Sequence, residues 1–372
     1  MIPEIAAEAP PITRLLTRKG ALGETERDTL PGRPLAPGEA LMRLERFSIT
    51  TNNITYAAFG EAMDYWKFFP THRDGFGHMP VWGFAEVVAS TVEGVEPGQR
   101  FYGYWPIASH FILQPVRVTE RGMYDGAPHR AELVSAYNFY TRCATDPVWK
   151  PELENLLALY RPLFLTSFLC ADFLADNGFF GATRIVVSSA SSKTAYGTAV
   201  EMQGKEVEMI GLTSARNKAF TEGLGCYDAV ETYDRVEAMA TDRPTLYLDY
   251  SGDAGLRGRI HRHFGEALAY DCYAGSAQST DFIADAELPG PRPAFFFAAL
   301  QVKKRNADWG PQEMNRRFAQ AQSAFFARAG DPDHPWIRIV ESHGYDAAAK
   351  VIDDLHAGRA DPLDGHIVVL DA

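Results

Sequence analysis

Residues Arg184 to Thr198, reading RIVVSSASSKTAYGT, constrain this chain more than any other stretch. Ile185-Val186-Val187 is the uninterrupted apolar run that a fully buried strand requires, and it breaks into small polar residues, Ser188 to Ser192. From Lys193 to Met202 the apolar positions Ala195, Ala199 and Met202 recur at helical spacing. A helix that starts straight after a buried strand and a tight turn presents its first amides without intrahelical acceptors. Such a start binds anions, a dinucleotide diphosphate among them. The turn holds no glycine, so its amides must be reached past side chains.

The same strand-then-helix pattern continues downstream. Candidate strands at 185–189, 206–212, 228–232, 245–250, 267–273 and 294–298 are interleaved with candidate helices at 193–203, 215–224, 254–264 and 311–328. That alternation predicts a doubly wound parallel sheet. Upstream, residues 1 to about 115 are punctuated by Pro and Gly, with strands read at Ala40–Ile49, Val81–Ser90 and from Arg100 to Trp105, the last after a turn at Glu96–Gln99. This predicts a β-rich, barrel-like module. Between the two, Ala131–Arg142 and Glu152–Tyr160 read as helices, with Pro147 and Pro151 breaking between them. Leu163–Leu174 reads as a buried helix closed by Asn177-Gly178. After residue 330 the alternation stops: strands at Trp336–Val340 and His366–Leu370 flank a helix at Tyr345–His356, and this tail is assigned back to the first module. The expected domains are therefore 1–160 completed by 331–372, and 161–330.

Charge and cysteine usage narrow the function classes. A formal net charge of -12 argues against an electrostatic nucleic-acid or anionic-membrane partner. Cys143, Cys170, Cys226 and Cys272 lie far apart, with neither zinc-finger nor redox-motif spacing. The N-terminal residues show no basic region followed by an apolar stretch, and the longest apolar run, near Phe295–Leu300, is too short to span a bilayer. A cytoplasmic protein is the default expectation. His72 and His78 bracket a glycine-containing loop; His261 and His263, two apart on a helix, do not face one site. No G-x-S-x-G elbow accompanies the serines of the turn, which argues against a Ser–His–Asp hydrolase.

In an NAD site, an acidic residue about 20 positions past the turn accepts the ribose hydroxyls. Here the second strand ends in Leu212-Thr213-Ser214, and the charged residues next in the chain are Arg216 and Lys218. Hydroxyls and cations hold a ribose 2′-phosphate that a carboxylate repels, so NADP fits this chain better than NAD. The alternative is that Arg216 and Lys218 are solvated residues of a surface helix.

In these segments the chain resembles the medium-chain dehydrogenase/reductase superfamily, in its zinc-free quinone- and enoyl-reductase branch. The resemblance rests on Ile185–Met202, on Ile210-Gly211 with Lys218 and Tyr233 fifteen positions later, on Pro80–Ser90 followed by Pro97-Gly98-Gln99-Arg100-Phe101, and on the closing segment Gly344–Leu370. The strings ITTNNITYAAFG, YWKFFP, PVWGFAEVVAS, RPLFLTSFLCADFL and SSASSKTA look like an uncharacterised domain-of-unknown-function branch of it. The resemblance implies an α/β chain with a GroES-like β-rich domain and a Rossmann domain. It also implies an NADP-dependent oxidoreductase that passes hydride to an activated C=C or C=O of a small hydrophobic substrate. Ser189, Ser191, Ser192, Lys193, Thr194, Thr213, Ser214, Arg216, Lys218 and Tyr233 are the cofactor candidates it marks. None of the four cysteines falls where zinc-dependent relatives place ligands, so no metal is expected. An enolate formed by hydride arrival needs a donor, and Tyr65, Asn53 and Tyr56 are the catalytic candidates, Tyr65 foremost; core packing is the other reading of so many aromatic residues, and Asn52-Asn53 alternatively shapes a turn. A homodimer through Pro293–Ala299 is also implied. The alternatives are a cofactor-binding pseudoenzyme, for which the glycine-free turn speaks, and a non-redox protein on the same fold.

Overall fold

The structure, a computed structural model, describes residues 10–274 and 288–370. The chain divides into two compact units, Met1–Leu159 with Arg338–Ala372, and Tyr160–Ile337.

The first unit opens with β1 (Ile12–Arg18), β2 (Ala21–Leu30), β3 (Ala40–Ile49), helix α1 (Thr51–Ala58) and the short β4 (Phe76–Gly77). β1 pairs antiparallel with β2 and β4. β5 (Pro80–Ser90), β6 (Arg100–Pro106), β7 (His110–Leu113), β8 (Pro115–Thr119), β9 (Gly122–Asp125) and β10 (Phe139–Arg142) build on β3 in the order β3-β5-β6-β10-β9-β8, with β7 also on β3. Gly83 makes the β3–β5 contact feasible: a Cβ there would lie 2.2 Å from the Arg46 carbonyl oxygen. Gly103 likewise leaves room for the Tyr140 ring.

Ala131–Arg142 is not helical. Ser135–Asn138 forms a single 3-10 turn and Phe139–Arg142 is β10, paired with both β6 and β9. Tyr140 is buried against Trp105, with ring centroids 4.4 Å apart, and its hydroxyl donates to the Tyr104 carbonyl. That packing overrides the weak helical pattern. The helices expected at Glu152–Tyr160 and Leu163–Leu174 are one helix, α2 (Glu154–Asp176), which runs through Pro162. Proline removes the N–H that would serve the carbonyl of residue 158. Ser48 Oγ donates to that carbonyl instead, at 2.7 Å. The stretch Pro151–Asp176 is long and apolar enough to cross a membrane, which a search for uninterrupted apolar runs passes over. Its Leu157, Leu159, Leu169, Cys170 and Leu174 are fully buried in the protein.

The second unit is a six-stranded parallel sheet. Its elements are β11 (Arg184–Val187), α3 (Lys193–Met202), β12 (Glu208–Thr213), α4 (Lys218–Gly223), β13 (Ala229–Thr232), β14 (Thr245–Asp249), α5 (Ala254–Phe264), β15 (Leu268–Tyr273), β16 (Ala294–Phe295), α6 (Ala298–Asp308) and α7 (Pro311–Ala329). The strand order is β13-β12-β11-β14-β15-β16, so the winding reverses at β11. In open α/β sheets that reversal opens the crevice where ligands bind. Sequence periodicity locates α3, α5 and α7 to within a residue. It misses α6 and extends the last strand to 298, because Phe295-Phe296-Phe297 has no period that separates strand from helix. Helix α3 lies close to α2 at Gly197, where a Cβ would sit 2.6 Å from Ser167 Oγ, and that hydroxyl donates to the Thr194 carbonyl at 2.8 Å.

The chain then returns to the first unit with β17 (Arg338–His343), α8 (Gly344–His356) and β18 (Asp364–Val369). β18 pairs antiparallel with β3, setting His366 opposite Ile49, and β17 pairs parallel with β18 through the α8 crossover.

Candidate dinucleotide site and phenol cluster

β11 delivers its last side chain into the sheet and hands over to Ser188, which is fully buried. Ser189 then takes φ 49°, the left-handed region that glycine occupies cheaply. That left-handed position is a strained serine here, and its amide donates to the Tyr233 hydroxyl at 3.1 Å. Ala190 donates to the Leu212 carbonyl, and Ser192 caps α3 by accepting from the Ala195 amide at 3.3 Å. The amides of Ser191 and Thr194 have no acceptor among the described residues. They are the open donors that an anion at a helix start requires.

Ser191 Oγ accepts from Asn217 Nδ2 at 3.2 Å and, more weakly, from Thr213 Oγ1 at 3.5 Å. With its acceptor capacity engaged, its own O–H is left to donate. Gly211 permits the close approach of β12 to the turn: a Cβ there would lie 2.9 Å from the Ala190 Cβ. The cations beyond β12 are placed differently from one another. Lys218 Nζ donates to the Val230 carbonyl and to Glu222, both at 2.6 Å. Arg216 is exposed and has no side-chain partner among the described residues. Ser214 is half-buried at the start of the 3-10 turn that carries Arg216. Lys193 lies half-buried in the first turn of α3.

Beside the turn, Tyr233, Ser251, Asp253, Gly255, Leu256 and Arg259 line a cavity of about 280 Å³. Tyr233 thus serves both the turn, through its hydroxyl, and the cavity, through its ring. Burial raises the pKa of its phenol, partly offset by the Ser189 bond, so the hydroxyl is protonated at neutral pH. The sequence reading missed Asn217, Asp249 and Arg257, which hold this region from behind. Asp249 carried a legible signal, since it ends an apolar strand immediately before Tyr250-Ser251-Gly252.

The three catalytic candidates lie in the first unit. Asn53 is buried and fully engaged: Oδ1 accepts from the Thr50 amide at 2.7 Å and Nδ2 donates to the Pro80 carbonyl at 2.7 Å. It closes the start of α1 in a capping box. Tyr56 and Tyr65 belong to an aromatic cluster with Phe68, Phe69 and Tyr104, joined by Trp82 and Tyr137. Trp82 Nε1 donates to the Tyr56 hydroxyl at 3.2 Å, and the Tyr65 and Tyr137 hydroxyls are 3.1 Å apart. The Tyr104 hydroxyl is buried without a partner among the described residues. Burial raises the pKa of Tyr56, Tyr65 and Tyr137, so all three are proton donors at neutral pH. Of the histidines, His72 is exposed and His78 buried, while His261 and His263 point to different partners, Asp271 and the Met239 carbonyl. Among the described residues no group of His, Cys, Asp and Glu side chains is placed to hold a metal ion.

Solved structures similar to this chain include CurA from Vibrio vulnificus in complex with NADPH (12% identity, 97% of this chain and 99% of that one, TM-score 0.61). A thermostable alcohol dehydrogenase from Pyrobaculum aerophilum (13% identity, 96% and 99%, TM-score 0.54) is another. So is the yhdH oxidoreductase from Salmonella enterica in complex with NADP (14% identity, 96% and 100%, TM-score 0.52). At these identities the likeness establishes the fold, a GroES-like β domain and a Rossmann domain as in medium-chain dehydrogenases/reductases. No curated protein matches the chain. Residues 47–361 match the family described as protein of unknown function (DUF2855), and the chain belongs to that family.

Proposed function

We propose that this protein is an NADP-dependent oxidoreductase that transfers hydride to an activated C=C or C=O of a small hydrophobic molecule without zinc. The observation that carries the reading is the turn Ser188–Ser192, with two open amides and an oriented Ser191 hydroxyl where the winding of the parallel sheet reverses. The residues present fit the cofactor. The Ser191 and Thr194 amides and the Ser191 O–H offer donors to a diphosphate. The cavity at Tyr233 and Leu256 accepts an adenosine, and Arg216 offers an unengaged guanidinium to a 2′-phosphate. When bound, the cofactor supplies the hydride. In the first unit, Tyr65 holds its proton on a phenol backed by Tyr137, ready to donate to a developing oxyanion. Neighbours described with NADPH or NADP support the cofactor assignment. A homodimer joined at β16 goes with this reading, since β16 is an edge strand and Phe295 and Leu300 are exposed.

NADPH fluorescence titration tests the reading directly. Saturable binding is expected, followed by NADPH oxidation with conjugated enones or quinones. No binding at millimolar NADPH overturns it. Binding without turnover of any activated acceptor supports the second reading, a cofactor-binding pseudoenzyme, which the full engagement of Asn53 in a helix cap favours.

A further inference from the structure

The C-terminal ends of β11, β14 and β15 are joined by a buried polar chain that neither the diphosphate nor the substrate needs to touch. Asp249 is fully buried, and its Oδ1 accepts from Ser188 Oγ at 2.7 Å, from the Ser251 amide and hydroxyl at 2.8 Å each, and from the Gly252 amide at 3.0 Å. Ser188 Oγ in turn accepts from the Tyr250 and Ser251 amides at 2.9 and 3.1 Å. Asp249 Oδ2 is clamped by the Arg257 guanidinium, itself buried. Arg257 Nε lies 3.5 Å from Asp271 Oδ2, which also meets His261 Nε2 at 2.8 Å, and His261 Nδ1 faces the Pro289 carbonyl at 2.8 Å.

A carboxylate withdrawn from water in this way is held by four donors on one oxygen and a cation on the other, so it has one arrangement. Through Ser188 it fixes the residue from which the strained Ser189 departs. Through Ser251 it fixes a wall of the cavity beside Tyr233. A glycine turn is shaped by its own backbone freedom; a serine turn at φ 49° has to be held in place from outside.

We propose that Asp249 is the positioning residue of the dinucleotide site, setting the diphosphate turn through Ser188 and the adenosine cavity through Ser251, with Arg257 holding its charge. The inference rests on the proposed cofactor reading and deepens it.

Ser188→Ala separates the two halves of the claim. It cuts the tether between the turn and Asp249 and leaves Ser251 bonded to the carboxylate. Wild type and variant are titrated with NADPH, which spans turn and cavity, and with 2′-AMP, which lacks the diphosphate. The expected result is a rise of about tenfold in the NADPH Kd, as for loss of one hydrogen bond to a charged group, with 2′-AMP unchanged. A purely structural role would weaken both ligands together. Parallel loss, or no loss of NADPH, overturns the proposal. If Ser188→Ala does not fold, Ser188→Cys fills the same small space with a thiol, a weak donor and acceptor, so the tether to Asp249 is weakened with the serine's volume kept, and the same selective loss of NADPH is required of it. A wild-type protein that binds no NADPH overturns the functional reading itself, and this inference with it.

Discussion

Two cations lie beyond β12, and the structure separates their roles sharply enough to be tested. Lys218 already donates to the Val230 carbonyl and to Glu222. Removing its ammonium by Lys218→Ala loses one half-buried hydrogen bond, about 1 kcal/mol, and one i,i+4 pair, about 0.3–0.5 kcal/mol, both from stability and not from binding. Arg216 is exposed and has no such partners. A guanidinium–phosphate contact contributes about 1.5–3 kcal/mol, and solvent screening at an exposed site places this one at the lower end, roughly tenfold in Kd. Fluorescence titrations with NADPH and NADH at low ionic strength, where surface charge is least screened, read the difference. Arg216→Ala is expected to raise the NADPH Kd about tenfold with NADH unchanged, and Lys218→Ala to change either by less than about threefold. Equal loss of both cofactors in Arg216→Ala, or a selective tenfold loss of NADPH in Lys218→Ala with none in Arg216→Ala, refutes the assignment of the 2′-phosphate.

Three other outcomes rest on single positions. Ser189→Gly relieves a left-handed serine, a gain of about 1–2 kcal/mol offset by about 0.5–1 kcal/mol of chain entropy; urea unfolding should show a net gain of no more than about 1.5 kcal/mol, and a clear destabilisation would contradict the strain. Arg130→Met leaves Asp125 charged and buried, its Oδ2 having lost a guanidinium nitrogen at 2.9 Å, so a loss of about 3–5 kcal/mol is expected. Adding Asp125→Asn should restore most of it, because Asn keeps an acceptor for the Gln114 and Ala127 amides; no recovery in the double variant would show that the cost is packing, not charge. Burial, with repulsion from Arg14, holds the His78 imidazole down at about 3 against an ordinary 6.5. Because the folded value is depressed, the unfolded chain binds the proton more readily, and stability that is level above about pH 6.5 falls by about 1.4 kcal/mol per pH unit as pH drops toward 3. His78→Gln should flatten that slope, and an identical slope in the variant would remove His78 from the account.

Sequence pattern carried the second unit well because β11, β12 and β14 are apolar runs closed by polar turn chemistry, and α5 even announces its cap, Asp253, which accepts from the Leu256 amide at 3.0 Å. The first unit was less legible where long-range packing decides. Nothing local says that Phe139–Arg142 must be a strand; Gly103, 37 positions upstream of Tyr140, leaves the space that makes it one. Nor does local sequence say that a helix survives Pro162, since the compensating donor is Ser48, 110 positions upstream of the carbonyl it serves.

The site divides along the same line. Residue type points to the turn and to the cations after β12, for which a solvated surface helix is the other reading. It could not show which groups were already engaged. Lys218 and Arg216 look alike in sequence and differ only in whether a carbonyl and a carboxylate lie within reach. Asn53 looks like a donor for an oxyanion, yet its Nδ2 already donates to the Pro80 carbonyl. In each case the deciding fact is the hydrogen bond already made within the fold, since a donor already paired must break that bond before it can serve a ligand. Ser191 is the opposite case: Asn217 and Thr213 engage its oxygen as an acceptor, and that is what aims its proton outward. On the proposed reading, a turn without glycine keeps its donors aimed through the neighbours that hold its serines: Thr213 on β12, Asn217 and Tyr233 in the turns that follow β12 and β13, and Asp249 on β14.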